Sequence, residues 1–267
     1  MTNDSLIDVL LLGGKGQIGS GLRTYLPRLN SRYKITTADR KGSRDKAKDA
    51  NAQKNFIDLD IYNDTKKLEE ILEGRDMVVY LARKDTLSEM NEMTDKVFHS
   101  ILKVCPETLV VASSSVHATG GAYFPFDKEP YRTIAKRNFE KLDNWPEPLS
   151  IFTEPCPTGD YGLEKAYVES WCQRFAAINK NAIAARWGGI NEENGKKDEV
   201  AYFTVWCHQE DSARFVDSCY KTFIRGELRS GAHYYVISNN TYNVFDIEST
   251  KNEIGYDPQH DAEILYG

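Results

Sequence analysis

The sequence lacks a surplus of positive charge and any long hydrophobic run. Its 267 residues include 34 Lys and Arg against 40 Asp and Glu, which gives a formal net charge of −6. Nucleic-acid-binding proteins normally show a basic surplus, so nucleic acid is not expected as a partner. The one apolar run near the start, residues 9–12, is too short for a signal peptide, and no later run approaches the length that a bilayer requires. We therefore expect no membrane partner.

Cysteine is sparse and forms no motif. The five cysteines are an odd number and never form a CxxC pair. A reduced, cytoplasmic protein in which they are small core residues is the simplest interpretation, and a catalytic thiol is an alternative. No HExxH spacing occurs among the five scattered histidines, so no metal is expected. The nearest approach to a metal site, His208 near Asp211, is interpreted as a loop before a helix N-terminus.

Short β-rich segments alternate with helical patterns in the first half of the chain. Strands are predicted at residues 7–12, 33–38, 55–59, 77–81 and 108–112, and helices at 17–29, 65–72 and 89–104. Several of these strands are almost continuously apolar, as expected where helices cover both faces of a sheet. The alternation predicts an α/β fold with a Rossmann-type, doubly wound parallel sheet and right-handed crossovers.

The second half is less regular. Residues 116–159 contain six prolines and are predicted to be a loop, because proline interrupts long regular elements. Beyond them the patterns predict a helix at 161–179, a strand at 182–187, a polar loop at 191–199, a helix at 212–224, a strand at 234–238 and a short helix at 245–254. The chain therefore offers further strands and helices after the loop.

Three glycines, Gly13, Gly16 and Gly19, follow the first predicted strand directly. Such a turn needs glycine where φ is positive and where the backbone must approach a pyrophosphate. The helix that begins with Gln17 and Ile18 points its free N–H groups and positive dipole end at the phosphates. The pattern predicts a dinucleotide site, and a tight turn without a ligand is the alternative reading.

Asp39 closes the second predicted strand, 20 residues after Gly19. A carboxylate there can accept hydrogen bonds from both hydroxyls of the adenosine ribose and repels a 2′-phosphate, which favours NAD over NADP. The basic run 40–48, which begins at Arg40, could bind that phosphate instead, or could be a solvated charge run. Asp58, at the end of the third predicted strand, is placed either to reach the adenine or to cap the strand.

Tyr161 and Lys165 form a YxxxK pair, and the i,i+4 spacing places both side chains on one face of a predicted helix. A free phenol has a pKa of about 10 and is a poor base at neutral pH. A lysine ammonium close by, shielded from water, favours the phenolate and lowers that pKa. The pair predicts a general acid/base, although such a spacing also occurs by chance on surfaces.

A polar cluster, Ser113 to Ser115, follows the buried strand that ends at residue 112. Ligands of open parallel sheets bind beyond this edge, where a serine can hydrogen-bond the reacting oxygen. Ser113 and Ser114 are interpreted as local backbone caps and Ser115 as the functional residue. The glycine turn, this serine and YxxxK follow one another along the chain, and together they are far more specific than any one of them.

The chain resembles the extended short-chain dehydrogenase/reductase family, an NAD-dependent epimerase/dehydratase family. The resemblance rests on the glycine turn, Asp58-Leu59, Leu81-Ala82, the serine cluster and YxxxK. It implies NAD as cofactor, held by the residues of these motifs. It also implies Tyr161 as general acid/base and Lys165 as its electrostatic partner, which also holds the nicotinamide ribose. Ser115 is the expected orienting residue, because the family's serine lies five residues before a glycine.

Within the family the chain is most similar to the branch of uronate dehydrogenases and archaeal sugar dehydrogenases. In that branch a histidine follows the serine by two, which implies that His117 touches a sugar hydroxyl; a satisfied loop histidine is the alternative. Arg83 and Lys84 replace small neutral residues of that branch and are a hypothetical anion site, unless they pair with neighbouring acids. Arg186 is also included among the predicted substrate-binding residues.

The resemblance implies an NAD-dependent oxidoreductase acting on an aldose, a uronate or a hexose phosphate, with oxidation of the C1 hydroxyl to a lactone. A nucleotide-sugar epimerase and a non-catalytic NAD-sensing regulator are the alternatives. Residues 1–180 are expected to form the NAD-binding domain with the catalytic residues. Residues 181–267 would add the remaining strands and a small substrate-binding part. Relatives commonly dimerise through helices that correspond to 89–104 and 161–179, so a homodimer is expected.

Overall fold

A parallel sheet organises the molecule, as seen in a computed structural model that describes residues 5–47, 55–123, 126 and 128–266. Lys48 of the basic run and Pro125 of the predicted loop lie outside the described residues. The strands are β1 (Ile7–Leu12), β2 (Tyr33–Asp39), β3 (Phe56–Asp58), β4 (Met77–Tyr80), β5 (Leu109–Ser115), β6 (Ala182–Trp187) and β7 (His233–Val236). They pair in the order β3-β2-β1-β4-β5-β6-β7, all in parallel. The predicted doubly wound α/β sheet is confirmed.

Helices cover both faces of this sheet. They are α1 (Gln17–Leu29), α2 (Thr65–Leu72), α3 (Leu87–Val104), α4 (Gly120–Tyr123), α5 (Tyr131–Ala135), α6 (Asp160–Ala177), α7 (Tyr202–Val205), α8 (Gln209–Ile224) and α9 (Glu248–Ile254). Successive side chains of a strand point to opposite faces, so Val9 and Leu11 join the core beneath α1 and α8. Leu10 and Leu12 join the core beneath α2, α3 and α6. No helix in the described ranges is long and apolar enough to span a membrane.

Several predicted bounds need correction. The fifth strand was predicted to stop at residue 112 but continues to Ser115, because β6 pairs with it through Ser115 and Trp187. The predicted loop 116–159 contains α4, α5 and the 3-10 turns Val116–Thr119 and Phe139–Lys141, all short enough to fit between prolines. The short helix α7 was not predicted.

The helices near the end of the chain also differ from their predicted bounds. α8 begins at Gln209 rather than at residue 212, because the His208 ring accepts a hydrogen bond from the Glu210 backbone N–H at 3.1 Å and caps it. This agrees with the interpretation of His208 as the residue before a helix. α9 begins at Glu248 rather than at residue 245, because Phe245 forms a bridge to Leu149 instead.

The carboxyl ends of β1, β4, β5 and β6 meet at one edge of the sheet. The strand order reverses between β1 and β4, and ligands of doubly wound folds bind at such a point. β6 and β7 follow residue 180 and extend the same sheet, so the division at that residue stays a prediction about the roles of the two parts. Four of the five cysteines are buried and all five are free thiols.

Candidate active site

The glycine turn after β1 is closely packed. Gly13 has φ of +83°, and a Cβ on it would lie 2.5 Å from the backbone of Ala82. A Cβ on Gly19 would lie 2.4 Å from the Gly14 carbonyl oxygen, so the first turn of α1 can lie this close only with glycine there. The helix has Gly16 as N-cap, no side-chain cap and no acidic residue in its first turn. Its first N–H groups are therefore available to an anion.

Two recesses lie along this turn. The first, the β2 recess, has a volume of about 280 Å³, and its lining includes Gly13, Gly16, Asp39, Arg40, Leu59, Leu81, Ala82 and Arg83. The second, the helix recess, has a volume of about 330 Å³, and its lining includes Gly13, Gly16, Gln17, Ile18, Gly19, Leu81, Arg83 and Tyr161. The shared residues show that the two recesses form one groove, which reaches from β2 to the predicted catalytic tyrosine.

Asp39 is held at the β2 recess by the backbone. Its Oδ2 accepts a hydrogen bond from the Lys15 N–H at 3.1 Å, and its Oδ1 accepts one from the Arg40 N–H at 2.8 Å. Asp58 does not line the recess, because its Oδ1 accepts from the Lys41 N–H at 2.7 Å. This hydrogen bond is what the strand-end cap predicts, and the contact with adenine stays a prediction. A carboxylate fixed in this way at the end of β2 fits a ribose better than a phosphate.

The structure brings Ser115, Tyr161 and Lys165 together where the groove ends. The Ser115 Oγ accepts the His117 N–H at 3.2 Å and lies 3.5 Å from the Trp187 carbonyl oxygen. Ser115 also hydrogen-bonds the Tyr161 hydroxyl. Lys165 is 3 % exposed, and its Nζ lies 5.4 Å from the centre of the Tyr161 ring. This arrangement can hold an alcohol oxygen between a hydroxyl donor and a phenol.

Burial and charge set the acidity of this site. The pKa of Tyr161 is raised rather than lowered as expected from YxxxK, because burial raises it, as does nearby Glu164, while Ser115 and Arg83 oppose the rise. The pKa of Lys165 is lowered to about 8, because burial lowers it, Glu164 opposes this fall and Arg83 adds to it. Lys165 is therefore mainly charged at neutral pH and loses its charge only slightly above it.

Glu164 is a residue that the sequence analysis missed. It lies within the YxxxK motif, is 1 % exposed, and forms an ion pair with Arg83 at 2.8 Å and a second with Lys165 at 3.5 Å. Lys84 pairs with Glu89 at 3.2 Å. Arg83 and Lys84 are therefore already paired with acids, and the hypothesis that they form a substrate anion site is not supported by this geometry. The sequence signal that could have identified Glu164 is its position directly before the motif's lysine.

Arg186 does not reach the site. Its side chain is fully buried and pairs with Glu169 of α6 at 2.8 Å, and its Nη2 donates to the Thr153 carbonyl oxygen at 2.9 Å. It lines neither the groove nor the main cavity described next. The predicted substrate-binding role of Arg186 is thus replaced by a buried ion pair that joins β6 to α6.

The main cavity opens beyond Tyr161 and has a volume of about 670 Å³. Its lining includes Gln17, Ser115, His117, Tyr123, Tyr161, Asn191, Lys197, Glu199 and Tyr202. The His117 ring lies 5.4 Å from the Tyr161 ring, centre to centre. Burial lowers the pKa of His117, with Glu199 opposing, so its imidazole is neutral at pH 7 and can exchange hydrogen bonds with a hydroxyl. Ser115, Tyr161 and His117 thus face one space large enough for a sugar.

A second cavity, the side cleft, adjoins the main cavity. It has a volume of about 460 Å³ and shares Phe126, Lys197, Glu199 and Val200 with the main cavity. Its lining carries five cations and two acids, which are Arg132, Lys136, Arg137, Lys196, Lys197, Asp198 and Glu199. Arg132 pairs with Glu129 at 3.3 Å and Arg137 with Glu263 at 2.8 Å, so the positive charge on the far side of the main cavity comes mainly from the three lysines.

One group in the described residues has the composition of a metal site, namely His208, Glu210 and His260. The two imidazole rings are stacked, with centres 3.7 Å apart and planes 13° apart. Lone pairs of parallel stacked rings do not converge on one point, and His208 Nδ1 already accepts the Glu210 N–H. We therefore assign no metal to this group.

Comparison with known proteins identifies a family. The model of the NAD dependent epimerase/dehydratase family matches residues 9–188. An NAD-dependent glucose-6-phosphate dehydrogenase of Haloferax volcanii is 24% identical over 265 residues, which cover 95% of this chain and 94% of that protein.

Solved structures show the same fold. A dTDP-glucose 4,6-dehydratase of Bacillus anthracis in complex with NAD has a TM-score of 0.69 at 16% identity, covering 97% of this chain and 94% of that one. An ADP-L-glycero-D-manno-heptose-6-epimerase of Helicobacter pylori has a TM-score of 0.68 at 16% identity, covering 99% of this chain and 96% of that one. At these identities the similarity concerns the fold alone.

Proposed function

The chain belongs to the NAD dependent epimerase/dehydratase family, and from this premise we propose that it oxidises the C1 hydroxyl of a sugar or sugar phosphate to a lactone. The observation that carries the proposal is the position of Ser115 and Tyr161 where the groove meets the main cavity, with Lys165 Nζ 5.4 Å from the centre of the Tyr161 ring. The name of the Haloferax volcanii relative also supports a sugar-phosphate dehydrogenase.

The groove fits the family's cofactor. NAD, when bound, supplies a hydride acceptor. Gly13 and the uncapped start of α1 would face its pyrophosphate, and Asp39 would accept from the adenosine ribose. At the other end of the groove, Tyr161 lines the helix recess and would face the nicotinamide ribose. Lys165, whose Nζ lies 5.4 Å from the centre of the Tyr161 ring, would approach that ribose from behind the tyrosine.

Proton transfer is the part that this chain's own residues perform. Ser115 would donate a hydrogen bond to the substrate's C1 oxygen and hold it against Tyr161. The Tyr161 phenolate would take the hydroxyl proton while the C1–H bond electrons leave as hydride. Lys165 stabilises that phenolate from 5.4 Å behind the ring. The C1–O bond becomes a lactone carbonyl, and one proton and one hydride leave the sugar.

Lys197 is the residue that we propose for an anionic group of the substrate. It lines both the main cavity and the side cleft, where cations outnumber acids. Because Arg83 and Lys84 are already paired with acids, a phosphate on the sugar would find its charge partner at Lys197 instead. This places the phosphoryl group away from the reacting carbon.

A nucleotide-sugar epimerase is the second candidate. The side cleft favours it, because the main cavity and the cleft together offer more space than a monosaccharide fills. The same three catalytic residues would serve, with NAD retained between turnovers. NAD that copurifies with the protein, together with an epimer as product, would identify this function.

We also propose that the protein is a homodimer located in the cytoplasm. The dimer can be checked by light scattering in solution.

The first test follows the absorbance of reduced nicotinamide with NAD and a panel of uronates, free aldoses and hexose phosphates. We expect activity with one class, strongest with hexose phosphates, and a loss of at least about 100-fold in Tyr161→Phe because the proton acceptor is removed. Binding of NAD by Tyr161→Phe is the control for folding. A silent panel with NAD still bound would contradict the dehydrogenase.

A further inference from the structure

Glu164 is the only carboxylate in the described residues that contacts both Arg83 and Lys165. Its Oε1 accepts from Arg83 Nε at 2.8 Å, its Oε2 accepts from Arg83 Nη2 at 3.3 Å, and Lys165 Nζ lies 3.5 Å from Oε1. The Glu164 side chain is 2 % exposed, against 48 % for Arg83 and 4 % for Lys165. A buried carboxylate is therefore shared between one cation that reaches the groove and one that does not.

Both cations face the same phenol. The Arg83 guanidinium lies 5.1 Å from the centre of the Tyr161 ring, and the Lys165 ammonium lies 5.4 Å from it. Arg83 lies in the loop that follows β4, and Tyr161 and Lys165 lie on α6, so the carboxylate also joins this loop to the helix. Bidentate pairing fixes the direction of a guanidinium in a way that a single contact does not.

We propose that Glu164 is a positioning residue, which fixes Arg83 beside the groove and keeps Lys165 an ammonium next to Tyr161. The proposal rests on the proposed function, in which Lys165 serves the Tyr161 phenolate. It gives a specific task to a residue of the motif that YxxxK leaves undefined.

The electrostatic balance at Lys165 supports this task. Burial and, to a smaller extent, Arg83 lower the pKa of Lys165 and Glu164 opposes both, with a net value of about 8. Without the Glu164 charge, burial and Arg83 would act unopposed, and Lys165 would be neutral near pH 7. The titratable and charged groups that face this set from the same and neighbouring elements are Tyr80, Arg83, Asp85, His117, Tyr123 and Tyr161.

The direct test measures the pKa of Lys165 by NMR of protein labelled with ¹⁵N-lysine, with the Nζ signal assigned by its loss in Lys165→Met. In Glu164→Gln we expect that pKa to fall by about one unit or more, because an opposite charge within hydrogen-bonding range is removed. Glu169→Gln is the matched control, since Glu169 is also a buried glutamate of α6 paired with an arginine. An unchanged pKa in Glu164→Gln, or an equal fall in both variants, would overturn the proposal.

A second variant, for which we expect a shift of the Lys165 pKa in the opposite direction, keeps the test decisive even where Glu164→Gln fails to fold. Arg83→Gln removes a half-exposed cation and leaves the whole Glu164 carboxylate to Lys165, so the pKa of Lys165 should rise. A fall, or no change, in Arg83→Gln would contradict the proposal. None of these titrations requires turnover, so they decide the role of Glu164 even where the sugar panel shows no dehydrogenase.

With a substrate in hand, the pH profile adds a functional measurement. Activity should decline as pH rises through the pKa of Lys165, because the cation that stabilises the phenolate is lost. In Glu164→Gln this alkaline limb, the decline of activity at high pH, should begin about one pH unit or more lower than in the unchanged protein. A purely structural role of Glu164 would lower the rate without moving the limb, and that result would contradict the proposal.

Discussion

Helix α6 carries two buried glutamates, Glu164 and Glu169, and each pairs with an arginine from another element. The Glu169–Arg186 pair is fully enclosed, with side chains 1 % and 0 % exposed, and Ser114 Oγ donates to the same carboxylate at 2.6 Å. The Glu164–Arg83 pair is enclosed on one side only, because the Arg83 side chain is 48 % exposed in the groove. The two pairs have the same chemistry and different surroundings.

The difference separates a structural pair from a functional one. Glu169 joins α6 to β5 and β6, and it forms no hydrogen bond or ion pair with the three residues proposed for catalysis. Glu164 shares its charge between Lys165 and an arginine that water also reaches. Burial makes the first pair costly to break, and partial exposure leaves the second able to influence charge at the site at a lower cost in stability.

The largest expected effect comes from breaking the enclosed pair. Glu169→Ala leaves the Arg186 guanidinium buried without its carboxylate, which should lower the free energy of unfolding by about 3–5 kcal/mol. Urea unfolding followed by circular dichroism measures this difference. The double variant Glu169→Leu, Arg186→Met is the control and should recover most of the loss. A loss below about 1 kcal/mol in Glu169→Ala would remove the distinction between the two pairs.

A smaller effect on stability is expected at the other pair. In Glu164→Ala, Arg83 can turn to water and Lys165 can lose its proton, so the free energy of unfolding should fall by only about 1 kcal/mol. The same urea experiment measures it, alongside the Lys165 titration. Destabilisation equal to that of Glu169→Ala would show that Glu164 also serves mainly to hold the fold.

The sequence predicted the elements whose patterns are local. Gly13 and the helix that follows it, the apolar strands and the YxxxK spacing are all read from neighbouring residues, and the structure assembles them at one edge of the sheet. Ser115 could be selected for the same reason. The sequence could not show that Ser115 lies inside β5 rather than after it. The length of that strand depends on pairing with β6, which lies about 70 residues further along the chain.

Contacts between distant residues account for most of what was missed. Arg83 and Glu164 are 81 residues apart in sequence, so the pairing of each was invisible to local patterns. Arg186 stands at the end of a strand near the site, but which way its side chain points depends on Glu169 and Thr153, which come from other elements. Asp58 was likewise placed by its position at a strand end, which could not show that its Oδ1 accepts from the Lys41 N–H.

Transfer of the C1 hydrogen tests the central claim most directly. The best substrate of the panel, deuterated at C1, is incubated with NAD, and the reduced nicotinamide and the sugar product are analysed by mass spectrometry. The account predicts deuterium in the reduced nicotinamide and a lactone or its hydrolysed acid as product. Unlabelled reduced nicotinamide, or an epimer formed without net reduction of NAD, would contradict it.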